Sequence, residues 1–400
     1  MRICMLGAGF NADFYTTALH RPRSKDRVTC VYSRTLESAQ KFATKWNVPF
    51  TTTDLKQAVN QPDVDVVVVS LPNHLHESAV LAAAAAGKAV LCTKPLGRNA
   101  AEAQRMLTAV ESAGVFHGYL EDLVYTPKTL KALESIKDGV VGDVLWVRSR
   151  ETHPGPHSDW FWKPELSGGG ALIDMGCHCV EIARNFIGKD IRPVEVVCWA
   201  DTQVHPIETE DHAIGLVRYA NGAIGQFEVS WSFRGGLDLR DEVAGTEGTI
   251  FLNHWLRTGM EVFSAAGQTD YVAEKSESSQ GWLFPVGDEP AALGYVDMFA
   301  EMLSAVEENR EPMETFYDGL VVNCIIDAAY KSTTSNRWEP IDLPLWRGKE
   351  SSERMAPSHE FDEHHHLIKR EHLPNGTTKV ILRHKKTGEI SQQIESSPSP

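Results

Sequence analysis

Short apolar runs alternate with helix-like segments throughout residues 1–120. The strand-like runs are RICML, RVTCVYS, VDVVVVSLP and AVLCTKPL, and the segments SAQKFATKW and HESAVLAAAAAGK between them are helix-like. The run VDVVVV is apolar without interruption, as in parallel strands that are buried on both faces. Regular alternation of strand and helix predicts an α/β fold with a doubly wound parallel sheet.

A glycine-rich turn follows the first strand. The sequence GAGFNA places Gly7, Gly9 and Ala12 at the three small positions of a G-x-G-x-x-G/A fingerprint, with Phe10 and Asn11 between them. The first glycine permits a tight turn, the second lets a pyrophosphate approach the backbone, and the small third residue lets the helix pack on its strand. Anions are stabilised at a helix N-terminus. The loop therefore predicts a dinucleotide-binding site.

The end of the second strand bears on which dinucleotide is bound. Ser33 and Arg34 stand there, where an acidic residue would bind the ribose 2′-hydroxyl. Arg34 suits a 2′-phosphate or stacking on adenine, but both residues are also compatible with NAD. We therefore expect NAD as the cofactor and keep NADP open.

Composition excludes several classes of partner. A formal net charge of −15 argues against nucleic-acid binding, which needs basic surface. No apolar run is long enough to span a bilayer. The seven cysteines are scattered through apolar segments, and strand-like sequence begins at once without a basic leader. These features favour reduced thiols and a cytoplasmic protein that contacts neither membrane nor nucleic acid.

The length and the change of character along the chain predict three parts. Four hundred residues exceed a single compact core. We predict a dinucleotide-binding domain at 1–125 and a substrate-binding and oligomerisation domain at 126–345, where long strand-like runs such as VEVVCWADTQ and AIGQFEVSWSFR dominate. Residues 346–400 are predicted to be a polar extension, with a β-hairpin at 366–391 and a disordered end.

Two histidine-containing segments raise the question of a metal. Cys177, His178 and Cys179 are consecutive, and consecutive residues of a helix point in different directions, so the three cannot converge on one ion. His364–His366 could hold a metal, but a solvated polar stretch explains them as well. We predict no metal site.

Three residues suggest acid–base chemistry. Asp174 and His178 are four residues apart in GGGALIDMGCH, so on a helix they share one face. Histidine is the side chain that titrates near neutral pH without perturbation, as a general base requires. Lys94 follows a strand at the edge where such sheets bind ligands, and its ammonium could stabilise a developing alkoxide. A helix-terminal pair and a surface lysine are the simpler explanations of each feature alone, and their combination favours catalysis.

Several motifs in order carry a family resemblance. GAGFNA, SLPNHLHESAVLAAAAAGKAVL, CTKPLGRN, GGGALIDMGCH and EVAGTEGTI resemble the glucose-fructose oxidoreductase / inositol dehydrogenase (Gfo/Idh/MocA) family over residues 1–345. The resemblance implies a Rossmann domain followed by an α/β domain with a large, mostly antiparallel open sheet. It also implies a homo-oligomer, a dimer or tetramer, that contacts through one face of that sheet. The family's Glu-Lys-Pro reads Thr93-Lys94-Pro95 here, so a carboxylate beside the lysine is lost.

The resemblance also implies the site residues. Lys94, Asp174 and His178 are expected to be catalytic, with His178 as the base. The cofactor is expected to contact Gly7, Gly9, Phe10, Asn11, Ala12, Ser33, Arg34, Leu71, Pro72, Asn73, His76, Thr93, Lys94 and Glu121. Aromatic rings beside polar groups suit a sugar, although the tryptophans could simply brace their loop. The substrate is expected to contact Lys94, Glu121, His153, His157, Trp160, Trp162, Asp174 and His178.

These features support three functions in turn. The first is hydride transfer between a nicotinamide and a secondary alcohol of a sugar or glycoside, the family's usual chemistry. The second is cleavage of a glycoside with tightly bound NAD, through transient oxidation, elimination and re-reduction. That reaction needs a further base, which Glu121 or the histidines and acids of residues 151–159 could supply. The third is a dinucleotide-binding sensor without catalysis.

Overall fold

The structure is a computed structural model that describes residues 1–21, 25–256, 259–267, 272–349 and 360–395. The chain forms two compact units, residues 1–352 and residues 353–400. Both large sheets belong to the first unit, so the boundary between residues 125 and 126 stays a prediction. No helix among the described residues has the length and apolarity needed to cross a membrane.

The first large sheet contains six strands and is flanked by helices. The strands are β1 (Arg2–Leu6), β2 (Arg27–Tyr32), β3 (Phe50–Thr52), β4 (Val66–Val69), β5 (Ala89–Thr93) and β6 (His117–Leu120). The helices are α1 (Phe10–Leu19), α2 (Leu36–Trp46), α3 (Leu55–Val59), α4 (His76–Ala85) and α5 (Ala100–Ala113). The strands are parallel, in the order β3-β2-β1-β4-β5-β6.

The strand order places a ligand-binding crevice beside the glycine turn. All four residues of β4 are buried, as expected for a central parallel strand covered on both faces. The order reverses between β1 and β4, and ligands of such sheets bind in the crevice at that point, beyond the carboxyl ends of the strands. The turn after β1 begins at Gly7 and therefore opens into this crevice.

The second large sheet follows in the chain and is mostly antiparallel. Its strands are β7 (Val144–Thr152), β8 (Pro193–Asp201), β9 (His212–Tyr219), β10 (Ile224–Ser230), β11 (Asp238–Gly245) and β12 (Thr249–Asn253). A small sheet of β13 (Val262–Ser264) and β14 (Gly281–Leu283) comes next, and β15 (Glu339–Pro340) completes the large sheet. The order is β12-β11-β7-β10-β9-β8-β15, and only β7 and β10 are paired in parallel among the described strands. The predicted fold class is confirmed.

Helices cover one face of the second sheet. The helices of this part are α6 (Pro127–Lys137), α7 (Pro164–Ser167), α8 (Ala171–Ile187), α9 (Glu289–Ala292), α10 (Tyr295–Glu308) and α11 (Phe316–Ser335). Helix α8 packs on β7 and β10, and α11 packs on β8. Burial along β7 alternates accordingly, with Val147, Ser149 and Glu151 buried and Trp146 and Arg148 half-buried on the opposite face.

A close backbone approach fixes the start of α8. Gly170 is its N-cap residue, and the Glu210 side chain accepts hydrogen bonds at 2.9 Å from the backbone N–H groups of Gly170 and Leu172. A Cβ atom on Gly170 would lie 1.9 Å from the Glu210 carbonyl oxygen. Glycine at this position therefore lets the helix that carries Asp174 and His178 begin where it does.

The second compact unit differs from its prediction. It contains a three-stranded sheet of β16 (His365–His372), β17 (Thr378–His384) and β18 (Ile390–Glu395). The expected hairpin corresponds to β16 and β17, but β18 occupies part of the tail that was expected to be disordered. Backbone pairing with β17 orders that polar segment, although its side chains are mostly exposed. Residues 396–400, also expected to be disordered, lie outside the described residues.

Replacing Gly170 tests the close approach at α8. We expect Gly170→Ala to lower the melting temperature by about 2–8 °C, because overpacking costs about 1–3 kcal/mol. Gly287→Ala is the matched control, since a Cβ there meets no atom within 4 Å. Thermal unfolding followed by circular dichroism measures both variants. Equal melting temperatures for the two would show that the contact with Glu210 relaxes freely.

Candidate active site

A buried ion pair joins the first sheet to helix α8. Lys94 follows β5, and its Nζ donates hydrogen bonds to Asp174 Oδ1 at 3.0 Å and to the Asp174 carbonyl oxygen at 2.8 Å. The other carboxylate oxygen, Oδ2, accepts a hydrogen bond from Trp231 Nε1 at 3.1 Å. Asp174 is 6% exposed. Its carboxylate is therefore held at both oxygens.

The pair is ionised at neutral pH. Burial opposes the charge of Asp174, but the attraction of the Lys94 ammonium outweighs it and lowers the pKa of Asp174 to about 2. Burial likewise opposes the charge of Lys94, and Asp174 nevertheless holds the pKa of that amine well above its ordinary value. The two residues present a fixed ammonium and a fixed carboxylate.

A second pair lies one helical turn further along α8. His178 Nδ1 is hydrogen-bonded to Glu121 Oε1, at the carboxyl end of β6. Burial raises the pKa of Glu121 to about 8 and lowers the pKa of His178 to about 3. Below about pH 8 Glu121 therefore keeps its proton and His178 is neutral, so the pair carries no net charge. Because Nδ1 is engaged, Nε2 is the ring nitrogen that can meet a substrate.

The glycine turn fits a dinucleotide. Gly7 has a φ of +122°, and a Cβ on it would lie 2.1 Å from the Ser70 carbonyl oxygen. A Cβ on Gly9, by contrast, would meet no atom within 4 Å, so the backbone there faces open space. Helix α1 begins at Phe10, and Ala12 in its first turn is buried. The first amides of a helix lack intrahelical partners and can bind a pyrophosphate.

Other predicted cofactor residues surround the same crevice. Thr93 Oγ1 is hydrogen-bonded to the Tyr15 hydroxyl at 2.6 Å and accepts from Asn11 Nδ2 at 3.4 Å. The half-buried residues Leu71 and Pro72 follow β4. Beyond β2, Ser33 is half-buried and Arg34 is exposed.

His76 and Asn73, both predicted cofactor contacts, have side chains that bind backbone carbonyl groups. His76 is fully buried, with Nε2 2.8 Å from the Leu71 carbonyl oxygen and Nδ1 3.0 Å from that of Pro95. Asn73 is also buried and donates from Nδ2 to the Ser167 carbonyl oxygen at 2.7 Å. These bonds fix both residues beside the crevice, and their contact with the cofactor stays a prediction.

The two histidines of the loop after β7 have different environments. His153 is buried and its Nδ1 accepts a hydrogen bond from the Gly155 N–H at 3.0 Å, while burial holds the pKa of this imidazole well below its ordinary value. The His157 side chain is 48% exposed, and its Nε2 lies 3.7 Å from Glu274 Oε1. Its ring centroid is 5.2 Å from that of Phe10. His157 therefore lies beside the glycine turn, opposite the ion pair's helix.

The two tryptophans of this loop also have different surroundings. Trp162 packs edge-on against Trp231 with ring centroids 5.2 Å apart, so it supports the indole that binds Asp174. Trp160 stacks on the neighbouring Phe161 at 3.8 Å. The contact of Trp160 with Phe161 fits the alternative in which Trp160 braces the loop. Trp162 contacts Trp231, which in turn binds Asp174.

Three residues of the site were not singled out by the sequence analysis. They are Trp231, the buried Glu151 of β7, and Lys275, whose Nζ donates to the Gly155 carbonyl oxygen at 3.0 Å. The charges of Asp174 and Lys94 act on Lys275, and its pKa is lowered chiefly by burial. These residues reach the site through tertiary contacts that no local spacing reveals. Glu151, next to the last residue of β7, was covered only by the range 151–159 considered for a further base.

The fold and the site define an oxidoreductase of the dinucleotide-binding class. Residues 1–119 match the family model described as oxidoreductase family, NAD-binding Rossmann fold, and residues 129–251 match the GFO/IDH/MocA C-terminal domain. The chain belongs to the Gfo/Idh/MocA family, and the resemblance found in its motifs is confirmed.

The relatives include an NAD complex and two named dehydrogenases. The crystal structure of GenD2 from gentamicin A biosynthesis in complex with NAD is 31% identical, with a TM-score of 0.80, and the match covers 86% of this chain and 97% of that one. A levoglucosan dehydrogenase of Pseudarthrobacter phenanthrenivorans is 26% identical over 77% of this chain and 87% of its own length. The trans-1,2-dihydrobenzene-1,2-diol dehydrogenase of Mus musculus is 31% identical over 62% of this chain and 73% of its own length.

The proton on Glu121 makes folding stability depend on pH. A carboxyl whose pKa is raised from 4.5 to about 8 keeps its proton in the folded protein after the unfolded chain has lost it, so stability falls as pH rises through that interval. The lowered pKa of His178 acts in the opposite sense, but only between about 3 and 6.5. From pH 6.5 to 8 we therefore expect the melting temperature to fall, and to fall less steeply in Glu121→Gln.

Differential scanning fluorimetry across that pH range gives both slopes. Glu37→Gln, which changes an exposed carboxylate of α2, should keep the wild-type slope. Identical slopes in wild type and Glu121→Gln would contradict a protonated Glu121.

Proposed function

We propose that this protein is an NAD-dependent dehydrogenase that oxidises a secondary alcohol of a sugar or glycoside, or catalyses the reverse reduction. The observation that carries the proposal is the Lys94–Asp174 ion pair, with 3.0 Å between Nζ and Oδ1, beside the buried His178–Glu121 pair on the next turn of α8. The names of the levoglucosan and dihydrodiol dehydrogenases support the substrate class.

The cofactor supplies the redox step. When it is bound, the nicotinamide takes up a hydride from the carbinol carbon of the substrate. The turn from Gly7 to Ala12 would hold its pyrophosphate, and Thr93 and Asn11 line the approach to Lys94. Exposed Arg34 is placed to reach a 2′-phosphate, so NADP belongs in the same tests as NAD.

Lys94 and Asp174 would stabilise charge on the reacting oxygen. Asp174 keeps Lys94 protonated, and a fixed ammonium at the substrate hydroxyl favours the alkoxide as it develops. The ion pair needs no rearrangement during the reaction, because Trp231 and α8 already fix the carboxylate.

His178 and Glu121 would take the hydroxyl proton together. When Glu121 is ionised, the substrate proton can move to His178 Nε2 while the proton on Nδ1 passes to the Glu121 carboxylate, so no imidazolium is left in a buried place. The raised pKa of Glu121, about 8, favours this transfer, and the protonated pair present below that pH is the form that donates a proton in the reduction direction. In the reduction direction the same two protons move back.

The catalytic assignment predicts a selective loss in His178→Ala. We expect turnover to fall by about 10²–10⁴-fold, the usual contribution of a positioned acid–base group, with cofactor affinity nearly unchanged. The assay is the absorbance of reduced NAD or NADP during incubation with levoglucosan, myo-inositol, D-glucose and a nitrophenyl glucoside. His372→Ala, in the second compact unit, is the control and should keep wild-type activity.

Three outcomes would overturn the proposal. Full activity in His178→Ala would remove the residue from catalysis. Release of nitrophenol without net reduction of the cofactor would establish the redox-neutral glycosidase. NAD binding by the wild type without turnover of any sugar in the panel would favour the sensor.

We also propose a homo-oligomer that forms through the outer face of the second sheet. Trp199 and Ile214, directly opposite each other on β8 and β9, are 45% and 37% exposed. The half-buried pair Val197 and Leu216 continues the same apolar patch. Exposed patches of this kind are typical of interfaces between copies of a chain.

A charge in this patch tests the oligomer. We expect Trp199→Glu to reduce the molar mass in analytical ultracentrifugation to that of one chain, because the interface would bury an unpaired charge. Leu36→Glu, at a 50% exposed position on α2, should keep the wild-type mass. A wild-type mass of one chain, or an unchanged mass in Trp199→Glu, would exclude this interface.

A reducing compartment suits the cysteines, and we place the protein in the cytoplasm. All seven are free thiols and all are buried. Buried cysteines without the spacing of a disulfide framework are typical of proteins of reducing compartments.

A further inference from the structure

Glu151 is a buried carboxyl that the proposed catalytic steps do not use. It lies on β7, on the face of the second sheet that packs against α8. It is 8% exposed, and none of the described residues donates a hydrogen bond to its Oε2. A buried polar atom without a partner costs free energy, so a partner such as a bound ligand would stabilise it.

The surroundings of Glu151 are those of the candidate active site. Charged and titratable groups from five parts of the chain interact electrostatically with Glu151. They are Lys94 after β5, Glu121 and Asp122 after β6, Asp174, Cys177 and Cys179 on α8, Lys275 between β13 and β14, and Tyr295 on α10. Glu151 therefore lies near the groups that would handle the substrate hydroxyl, on the strand face that packs against the helix of Asp174 and His178.

Burial favours the neutral, protonated form of the Glu151 carboxyl. Burial raises its pKa well above the ordinary value although Lys94 acts in the opposite direction, and the nearby acids Asp174, Asp122 and Glu121 raise it further. A neutral carboxylic acid carries one O–H donor in addition to acceptor oxygens. It can thus bind an uncharged hydroxyl without placing a second negative charge next to Asp174.

The same surroundings discriminate between kinds of substrate. The ammonium groups of Lys94 and Lys275 both act on this space and would repel a cationic amino sugar. An anionic sugar acid would be repelled by the carboxylate of Asp174. An uncharged polyol avoids both costs.

We propose that Glu151 contacts the substrate directly, by donating a hydrogen bond from its carboxylic acid to a hydroxyl on the carbon next to the carbinol that loses hydride. This assignment rests on the proposed dehydrogenase function and narrows its substrate class to uncharged sugars with two adjacent hydroxyl groups. Lys94 and His178 hold the reacting hydroxyl, and Glu151 selects the neighbouring one.

Two substitutions of similar size separate hydrogen bonding from packing. Glu151→Gln keeps a neutral donor and acceptor, so we expect kcat/KM within about threefold of wild type. Glu151→Leu keeps the volume but has no polar atom, so we expect a fall of about 10- to 100-fold. The melting temperature of Glu151→Leu should equal or exceed that of wild type, because a buried polar atom without a partner is removed.

Deoxy sugars provide the decisive measurement. The panel sugar that wild type oxidises fastest is compared with its own monodeoxy forms. In wild type, loss of the contacted hydroxyl should lower kcat/KM about as much as Glu151→Leu does, and in Glu151→Leu the same deoxy sugar should carry no further penalty. Glu134→Gln, at an exposed position on α6, is the control and should keep the wild-type profile.

Each remaining outcome decides against the assignment. Wild-type kcat/KM in Glu151→Leu would show that the carboxyl does not touch the substrate. An equal loss for every sugar, deoxy forms included, or a lower melting temperature would show that Glu151 acts on the fold or on the catalytic groups. If wild type oxidises no sugar of the panel, the dehydrogenase proposal fails first and this assignment fails with it.

Discussion

The site depends on one ion pair, between Lys94 and Asp174. Both partners are largely withdrawn from water, and a buried pair is tolerated only when each charge is met by fixed partners. Asp174 meets this condition because Lys94 binds one of its oxygens and Trp231 the other. Trp162 supports that indole in turn. The contacts that organise the loop after β7 therefore also preserve the charge of a lysine on a different sheet.

Burial gives four neighbouring carboxyls different charges. Asp174 is ionised because Lys94 is in direct contact with it, whereas burial raises the pKa of Asp122 to about 7 and that of Glu121 to about 8. Glu151 is raised as well. The arrangement offers one fixed carboxylate and several acids that hold protons near neutral pH. Such a set suits a reaction that moves a proton from an uncharged hydroxyl without creating a buried ion.

Local sequence was sufficient wherever structure depends on near neighbours. The GAGFNA turn, the apolar run of β4 and the four-residue spacing of Asp174 and His178 all follow from residues close in the chain. The partners of those residues do not follow from nearby sequence. Trp231 meets Asp174 across 57 positions, and Lys275 meets Gly155 across 120, so their roles depend on how the sheet is assembled. The surroundings of the His76 ring likewise depend on the fold, since one of its partners, the Pro95 carbonyl oxygen, comes from 19 positions along the chain. Strand β18 was missed because backbone pairing orders it without apolar side chains.

Helix α8 supplies a partner to two separate strand ends. Asp174 pairs with the residue after β5, and His178 pairs with the residue after β6. The loop of His157 and Trp160 and the segment of Lys275 contribute none of these bonds. Substituting His157 or Trp160 would therefore leave both pairs intact, whereas substituting Trp162 would disturb the indole that holds Asp174. Substrate contacts and proton chemistry are in this way assigned to different parts of the same site.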